Sequence, residues 1–255
     1  MQEDFMQNAF QNGGKNRTIV LTGAGISQSA GIPTFDEFPE LREVLTLEYF
    51  NKNFKEFWAE VIKLQKSVAG KRPTMAHTLL ANQRDWRIVT MNIDSLHQKA
   101  RTKNLLEVHG NLEKVACTHC SREFSFANVF ESLYCPKCGG KLRPKVVLYG
   151  DKDVPGYKTA MQDIKLYSTV IIIGTSFKTN FADQFRFAAE ALKKEIHIFN
   201  RNADEQLTDY LTDLECSFWT KRFGQLGRVI LTRKRSKTSV PLTTLCKRKE
   251  WKKWV

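Results

Sequence analysis

No run of 18 or more apolar residues occurs anywhere in the 255-residue chain, which excludes a membrane-spanning helix of ordinary length. The opening stretch, MQEDFMQNAFQNGGKNR, has no apolar core of the kind a secretory leader carries, so a cytoplasmic protein without a membrane partner is expected. No internal repeat is visible. Cysteine is scarce at six residues, and four of the six fall in two tight pairs. Without an export signal, that arrangement speaks for metal rather than disulfides. Acids are outnumbered, 27 against 40 Lys and Arg, for a net charge of +13. The imbalance is local: Arg228 to Val255 holds ten Lys and Arg and a single Glu, leaving roughly +4 for all the rest, so the basicity belongs to this tail.

What is present begins with Thr18 to Phe35, TIVLTGAGISQSAGIPTF. A short apolar strand leads into Gly23-Ala24-Gly25, a turn that lets backbone N–H groups approach a pyrophosphate. A full G-x-G-x-x-G would need glycine at position 28, where Gln stands. From Glu37 to Ala69 the apolar residues recur at three- and four-residue steps, which predicts helix with a core-facing aromatic stripe. Pro73 to Asn82 predicts another short helix, with His77 in a structural role. Arg87 to Thr90 reads as a strand ending in Met91-Asn92-Ile93-Asp94-Ser95, and polar clusters at such ends are where open α/β sheets hold ligands. Leu105 to Val108 leads to His109, a candidate general base that is equally consistent with a surface histidine.

Cys117-x2-Cys120 and Cys135-x2-Cys138, fourteen residues apart, have the spacing of a four-thiolate zinc site. Four protein ligands leave no open position for water, so the zinc is expected to be structural, and His119 is surplus. Lys145 to Leu148 reads as a strand ending in Tyr149-Gly150-Asp151. Val170 to Ile173 is a buried strand ending in Gly174-Thr175-Ser176, a second small-residue turn able to sit against ribose or phosphate. A helix over 180–194 and a strand from Ile196 to Phe199, ending in Asn200, follow. Strands alternating with helices predict a Rossmann-like, doubly wound parallel α/β sheet.

Together these segments resemble the sirtuin family, the NAD-dependent protein deacylases, over roughly residues 17 to 202. The resemblance rests on Gly23-Ala24-Gly25-Ile26-Ser27, Gly31-Ile32-Pro33, Asn92-Ile93-Asp94, Val108-His109-Gly110, the paired cysteines, Arg143-Pro144-x-Val146-Val147, Gly174-Thr175-Ser176 and Asn200. It implies an NAD-binding domain built from 16–36, 82–112 and 143–226. A small domain would combine a helical insertion at 37–81 with a zinc ribbon at 113–142, and a basic tail would span 227–255. The implied reaction moves the acyl group of an acylated protein or peptide lysine onto ADP-ribose, releasing nicotinamide. By position His109 would be the base, Asp94 with backbone at Ile93 would hold the carboxamide, and Asn92 would orient ribose and water. Gly23, Ala24, Gly25, Gly174, Thr175, Ser176 and Asn200 would line the dinucleotide. Phe35 would cover the reactive ribose, and Cys216 only loosely matches the adenine-contacting segment.

Several positions depart from the family pattern. Met91 stands for Gln, Ser95 for Gly and Asp36 for Arg, and the substrate loop Tyr149 to Pro155 is one residue longer. No Tyr-x-x-Arg pair for acidic acyl groups occurs in the first helical segment. These departures leave ADP-ribosyl transfer or NAD hydrolysis as an alternative outcome. A binding module without turnover is the second alternative, in which NAD is only a ligand or the zinc ribbon and basic tail grip nucleic acid, with Trp251 and Trp254 among tail cations stacking on bases. A tail that is merely solvated is the competing reading.

Overall fold

In chain order the strands of the main body are β1 (Thr18–Thr22), β2 (Arg87–Thr90), β3 (Leu105–Glu107), β4 (Gly110–Cys117), β5 (Glu123–Ser125), β6 (Leu142–Val146), β7 (Thr169–Ile173) and β8 (Glu195–Phe199). They come from a computed structural model that describes residues 17–34, 37, 40–152, 154–177, 179–223, 228–233 and 236–241. Strands β1 (TIVLT) and β7 (TVIII) are buried along their whole length. Such continuous β-branched runs belong in the middle of a parallel sheet covered on both faces. The five-stranded sheet indeed runs β3-β2-β1-β7-β8, and every neighbouring pair is parallel. Strand order reverses between β1 and β7, so a crevice opens there at the carboxyl ends of the strands.

One expected strand lies elsewhere. Lys145 to Leu148 does not join the parallel sheet: β6 ends at Val146 and pairs antiparallel with β4 in a separate sheet ordered β5-β4-β6. Val147 then donates to the His109 carbonyl at 2.9 Å. The apolar run Val146-Val147-Leu148 looks like a buried parallel strand, yet Pro144 just before it sits in the short sheet that carries the cysteines.

The aromatic segment after Glu37 is three helices rather than one, Glu40–Val44, Leu47–Lys52 and Phe54–Ala69. Thr46 interrupts it in an extended conformation, bridging Tyr149 while its hydroxyl caps the Tyr49 N–H at 3.0 Å. Asn53 makes the second break. The long helix buries Phe54, Phe57, Trp58, Val61 and Val68 on one stripe. That stripe shares a single apolar cluster with Val115, Phe126, Val129 and Leu142 of the cysteine-bearing segment. Trp58 also donates its indole N–H to the Leu142 carbonyl at 3.2 Å. A second cluster lies on the sheet and holds Ile19, Leu21, Val89, Val170, Ile172, Phe181 and Phe185.

The chain divides into two compact units between Ala203 and Asp204. The second contains most of the Ala203–Phe223 helix and an antiparallel hairpin of β9 (Arg228–Arg233) with β10 (Ser236–Pro241). The hairpin lies within the basic 227–255 segment, and its density of Val, Ile and Thr favours strand. Residues 242–255, with Trp251 and Trp254, lie outside the described residues. Among the described residues no helix is long and apolar enough to cross a membrane.

Candidate active site

Two glycine turns, separated by some 150 residues of chain, touch at the β1/β7 junction. Gly23 donates to Ile173 O at 2.9 Å and Gly25 to Gly174 O at 2.8 Å. Gly174 has φ +64°, and a Cβ there would lie 2.4 Å from the Ile26 nitrogen; one on Gly25 would lie 2.7 Å from Gly174 Cα. No other residue type fits either place. Thr175 follows, buried, its N–H bonded to Asn200 Oδ1 at 3.1 Å, so Asn200 ties the second turn to the end of β8. Ala24 is half-buried and Ser176 is exposed beside these turns. Gly23, Ala24, Gly25, Gly174, Thr175, Ser176 and Asn200 are thus brought together.

Beside them, a chain of side-chain hydrogen bonds crosses from the helical turn after β1 to the exit of β2. Asn92 Nδ2 donates to Ser27 Oγ at 3.2 Å, and that hydroxyl donates to Asp94 Oδ2 at 2.7 Å. The other carboxylate oxygen, Oδ1, accepts the Leu96 N–H at 2.9 Å. All three side chains are at least nine-tenths buried. A buried carboxylate without such donors would be costly. Here its orientation is set from two sides. The Ile93 carbonyl accepts from Leu112 N at 3.1 Å, fixing the strand exit. Ser95 stands in the left-handed region at φ +61°. Its hydroxyl is buried with no hydrogen-bond partner among the described residues. Ser27 belongs to the Gly23–Ser27 motif, and only its three-dimensional neighbours reveal its role.

His109 enters from the far side of β2. Its Nδ1 lies 2.8 Å from the Met91 carbonyl oxygen. A carbonyl can only accept, so Nδ1 carries the proton and Nε2 presents a lone pair. That nitrogen is 2.6 Å from the Tyr157 hydroxyl, which therefore donates to it. Burial pushes the His109 pKa below its ordinary value, with the Met91 carbonyl pulling the other way. Burial likewise raises the Tyr157 phenol, helped by Tyr149. Gly110, at φ +74°, allows the next strand to leave: a Cβ there would sit 1.9 Å from the Lys145 carbonyl oxygen. Tyr157 carries no sequence signal, because its contact with His109 depends on how the Pro155–Asp163 helix is placed.

Behind the sheet ends, His97 is fully buried between Thr22 Oγ1, 3.0 Å from its Nε2, and the ring of His77 at 4.6 Å between centroids. His77 is a structural residue, its Nδ1 closing a capping box with Thr74. The substrate-loop segment starts at Tyr149, whose N–H and carbonyl bond to Leu45 and Leu47. Asp151 closes its first turn on Arg143 and on the Leu148 N–H. Phe35, Asp36 and Asp153 lie outside the described residues, as does the side chain of Cys216, whose backbone belongs to the Ala203–Phe223 helix.

Cys117, Cys120, Cys135 and Cys138 converge with their sulfurs within 4.8 Å of one another. The N–H groups of Cys120 and His119 point at Cys117 Sγ, each at 3.4 Å, and Lys137 N–H points at Cys135 Sγ at 3.4 Å. The Cys120 amide leads in lowering Cys117 to about 6. Convergent sulfurs with amide donors are the donor set that a tetrahedral zinc requires. His119 is exposed and takes no part in the cluster.

Known proteins share this chain's sequence pattern and its fold. The Sir2 family profile matches residues 23–180. NAD-dependent protein deacetylase 2 of Caldanaerobacter subterraneus subsp. tengcongensis is 35% identical over 178 residues, covering 63% of this chain and 71% of the relative. An NAD-dependent protein deacetylase of Bacillus cereus is 31% identical over 233 residues, 86% of this chain and 93% of the relative. A crystal structure of Sir2 with the inhibitor EX-527, 2'-O-acetyl-ADP-ribose and deacetylated p53 peptide superposes with a TM-score of 0.70 at 24% identity, over 84% of this chain and 99% of that one. Sir2Tm bound to a propionylated peptide does so with a TM-score of 0.70 at 23% identity, over the same shares. The glycine turns, the buried Asn92–Ser27–Asp94 chain and the four-cysteine cluster thus sit on a shared fold, within a profile match spanning more than half of the sequence, and the chain belongs to the Sir2 family, the sirtuins.

Proposed function

We infer that this protein is an NAD-dependent protein-lysine deacylase. The observation that carries the reading is His109 held in one tautomer with Nε2 as its acceptor, at the same strand ends as the buried Asn92–Ser27–Asp94 chain. The residues fit NAD by their chemistry. The touching glycine turns leave a backbone-lined crevice for a pyrophosphate. A buried carboxylate and amide suit a carboxamide and a ribose. NAD when bound supplies a ribose carbon that loses nicotinamide and accepts the acyl oxygen.

The side chains then divide the work. Asp94 and the Ile93 backbone orient the carboxamide, and Ser27 keeps the Asp94 carboxylate from turning away. Asn92 orients the ribose and a water. His109 accepts a proton at Nε2, its partner Met91 O steadying the imidazolium that results. Gly23, Ala24, Gly25, Gly174, Thr175, Ser176 and Asn200 line the dinucleotide, and Phe35 and Cys216 are assigned there by family position alone. Held before reaction, these donors need no reorganisation at the moment charge develops. The four cysteines would hold one zinc, which four protein ligands make structural.

The substrate is an acylated lysine on a peptide or protein, as in the peptide complexes of the structural neighbours. Incubating the zinc-loaded protein with NAD and a panel of acyl peptides, with products resolved by mass, tests the reading. Nicotinamide, deacylated peptide and O-acyl-ADP-ribose in equal amounts support it. Free ADP-ribose with intact acyl peptide would replace it by NAD hydrolysis.

A further inference from the structure

Among the described residues, Tyr157 is the one side chain that engages the reactive nitrogen of His109, and the roles of Asp94, Asn92 and His109 leave it without a task. Its ring is stacked on Phe181 at 4.1 Å between centroids and 21° between planes. Phe181 itself is buried in the sheet-side core. The helix that carries Tyr157 starts at Pro155, and Gly156 sits so close to the residue after β3 that a Cβ there would meet Val108 Cα at 2.9 Å. Backbone and ring are therefore both held. The hydroxyl cannot leave Nε2 without unstacking an aromatic pair or lifting the start of a helix.

A ribose hydroxyl that approaches His109 consequently finds the imidazole lone pair already taken. The phenol oxygen still has lone pairs of its own. We propose that Tyr157 relays the substrate proton to His109, and this rests on the deacylase reading above. As the ribose O–H bond breaks, its proton bonds to the Tyr157 oxygen. The phenol's original proton passes along the 2.6 Å hydrogen bond to Nε2. The phenol ends neutral, His109 ends as imidazolium, and the ribose oxygen keeps the electron pair for attack on the acyl carbon. No other reactant is needed. Because the phenol's burial raises its pKa, it stays protonated across the working range and passes one proton only as it gains another.

Two measurements on the full-length, zinc-loaded chain test this. The first needs no substrate. Nitrogen NMR of the histidine side chains in wild type and Tyr157→Phe reads whether a phenol donates to Nε2. The His109 Nε2 resonance is expected to move downfield in Y157F while the Nδ1–H signal stays in place. An unchanged Nε2 resonance would overturn the relay. The second compares turnover of an acyl peptide. Y157F is expected to lose about 100-fold in kcat with little change in KM, within the range for a lost proton-transfer group. His109→Ala should fall similarly, and the double variant no further, because the two act as one unit. Retained kcat in Y157F, with wild type active, would remove Tyr157 from the reaction, and a faster Y157F would identify the hydroxyl as an obstruction instead. A wild type inactive on every acyl peptide would overturn the deacylase reading itself, and the relay with it. Thermal midpoints and zinc content of Y157F matching wild type show that the change is confined to the hydroxyl.

Discussion

Replacing Ser95 by glycine should stabilise the protein, although the residue is buried and adjoins Asp94. Ser95 occupies the left-handed region at φ +61° and ψ 15°, where an L side chain costs about 1–2 kcal/mol. Its hydroxyl is buried without a hydrogen-bond partner among the described residues, which adds roughly 1 kcal/mol or more. Against this, glycine loses about 0.5–1 kcal/mol of extra chain entropy on folding. Removing a buried methylene costs a further ~0.8 kcal/mol. The balance is a gain of about 1 kcal/mol, or some 2–4 °C in Tm for a body of this size. Ser95→Ala separates the contributions, since alanine discards the hydroxyl but keeps the backbone strain. The order expected in thermal and urea unfolding without NAD is S95G above S95A. An S95G midpoint at or below that of wild type would refute the strain argument.

Three further outcomes follow from the same structure. His109→Ala should abolish acyl transfer, a loss of about 100-fold or more for a missing proton acceptor, while NAD affinity measured by calorimetry changes little; unaltered turnover would take the imidazole out of the reaction. Cys135→Ser, or a strong chelator, should release zinc and unfold the cysteine-bearing sheet, because a short ribbon draws its folding energy from the metal; cooperative unfolding retained at zero zinc would contradict this. His97 should make the fold acid-sensitive. Burial, then the neighbouring His77, depresses its pKa well below 6.5 in the folded state. The unfolded chain therefore binds a proton that the native state refuses. Stability is complete above pH ~6.5 and falls below it, by up to about 1.4 kcal/mol per pH unit. A urea midpoint that stays level from pH 7 to 5 would exclude this, and His97→Gln should flatten the slope.

Much of this architecture can be read from the chain because its strongest local signals are also its global ones. Thr18–Thr22, Arg87–Thr90 and Thr169–Ile173 are apolar, β-branched and followed by polar or glycine turns, so strand identity and ligand-facing end come together. The cysteine pairs are equally plain, since their spacing alone brings four sulfurs to one place. Lys145–Leu148 misleads because a buried antiparallel strand and a buried parallel one have the same apolar composition. Thr46 and Asn53 split a helical pattern without disturbing its period. Ser27 and Tyr157 are the least legible: each gains its meaning from a partner 67 or 48 residues away, through hydrogen bonds to Asp94 and His109. Ser95 shows the converse, a departure from the family's glycine whose backbone angle explains why glycine is usual there.

The contact between Gly25 and Gly174 makes the crevice a product of two segments far apart in the chain. Until β7 has emerged and inserted beside β1, the first glycine turn faces open solvent where its lower wall will later stand. Chains cut short before residue 169 would carry Asn92, Asp94 and His109 yet have nothing to close on a nucleotide. A crevice with both of its walls therefore exists only where β1 and β7 are paired, and the glycine turns depend on the central sheet for their closeness.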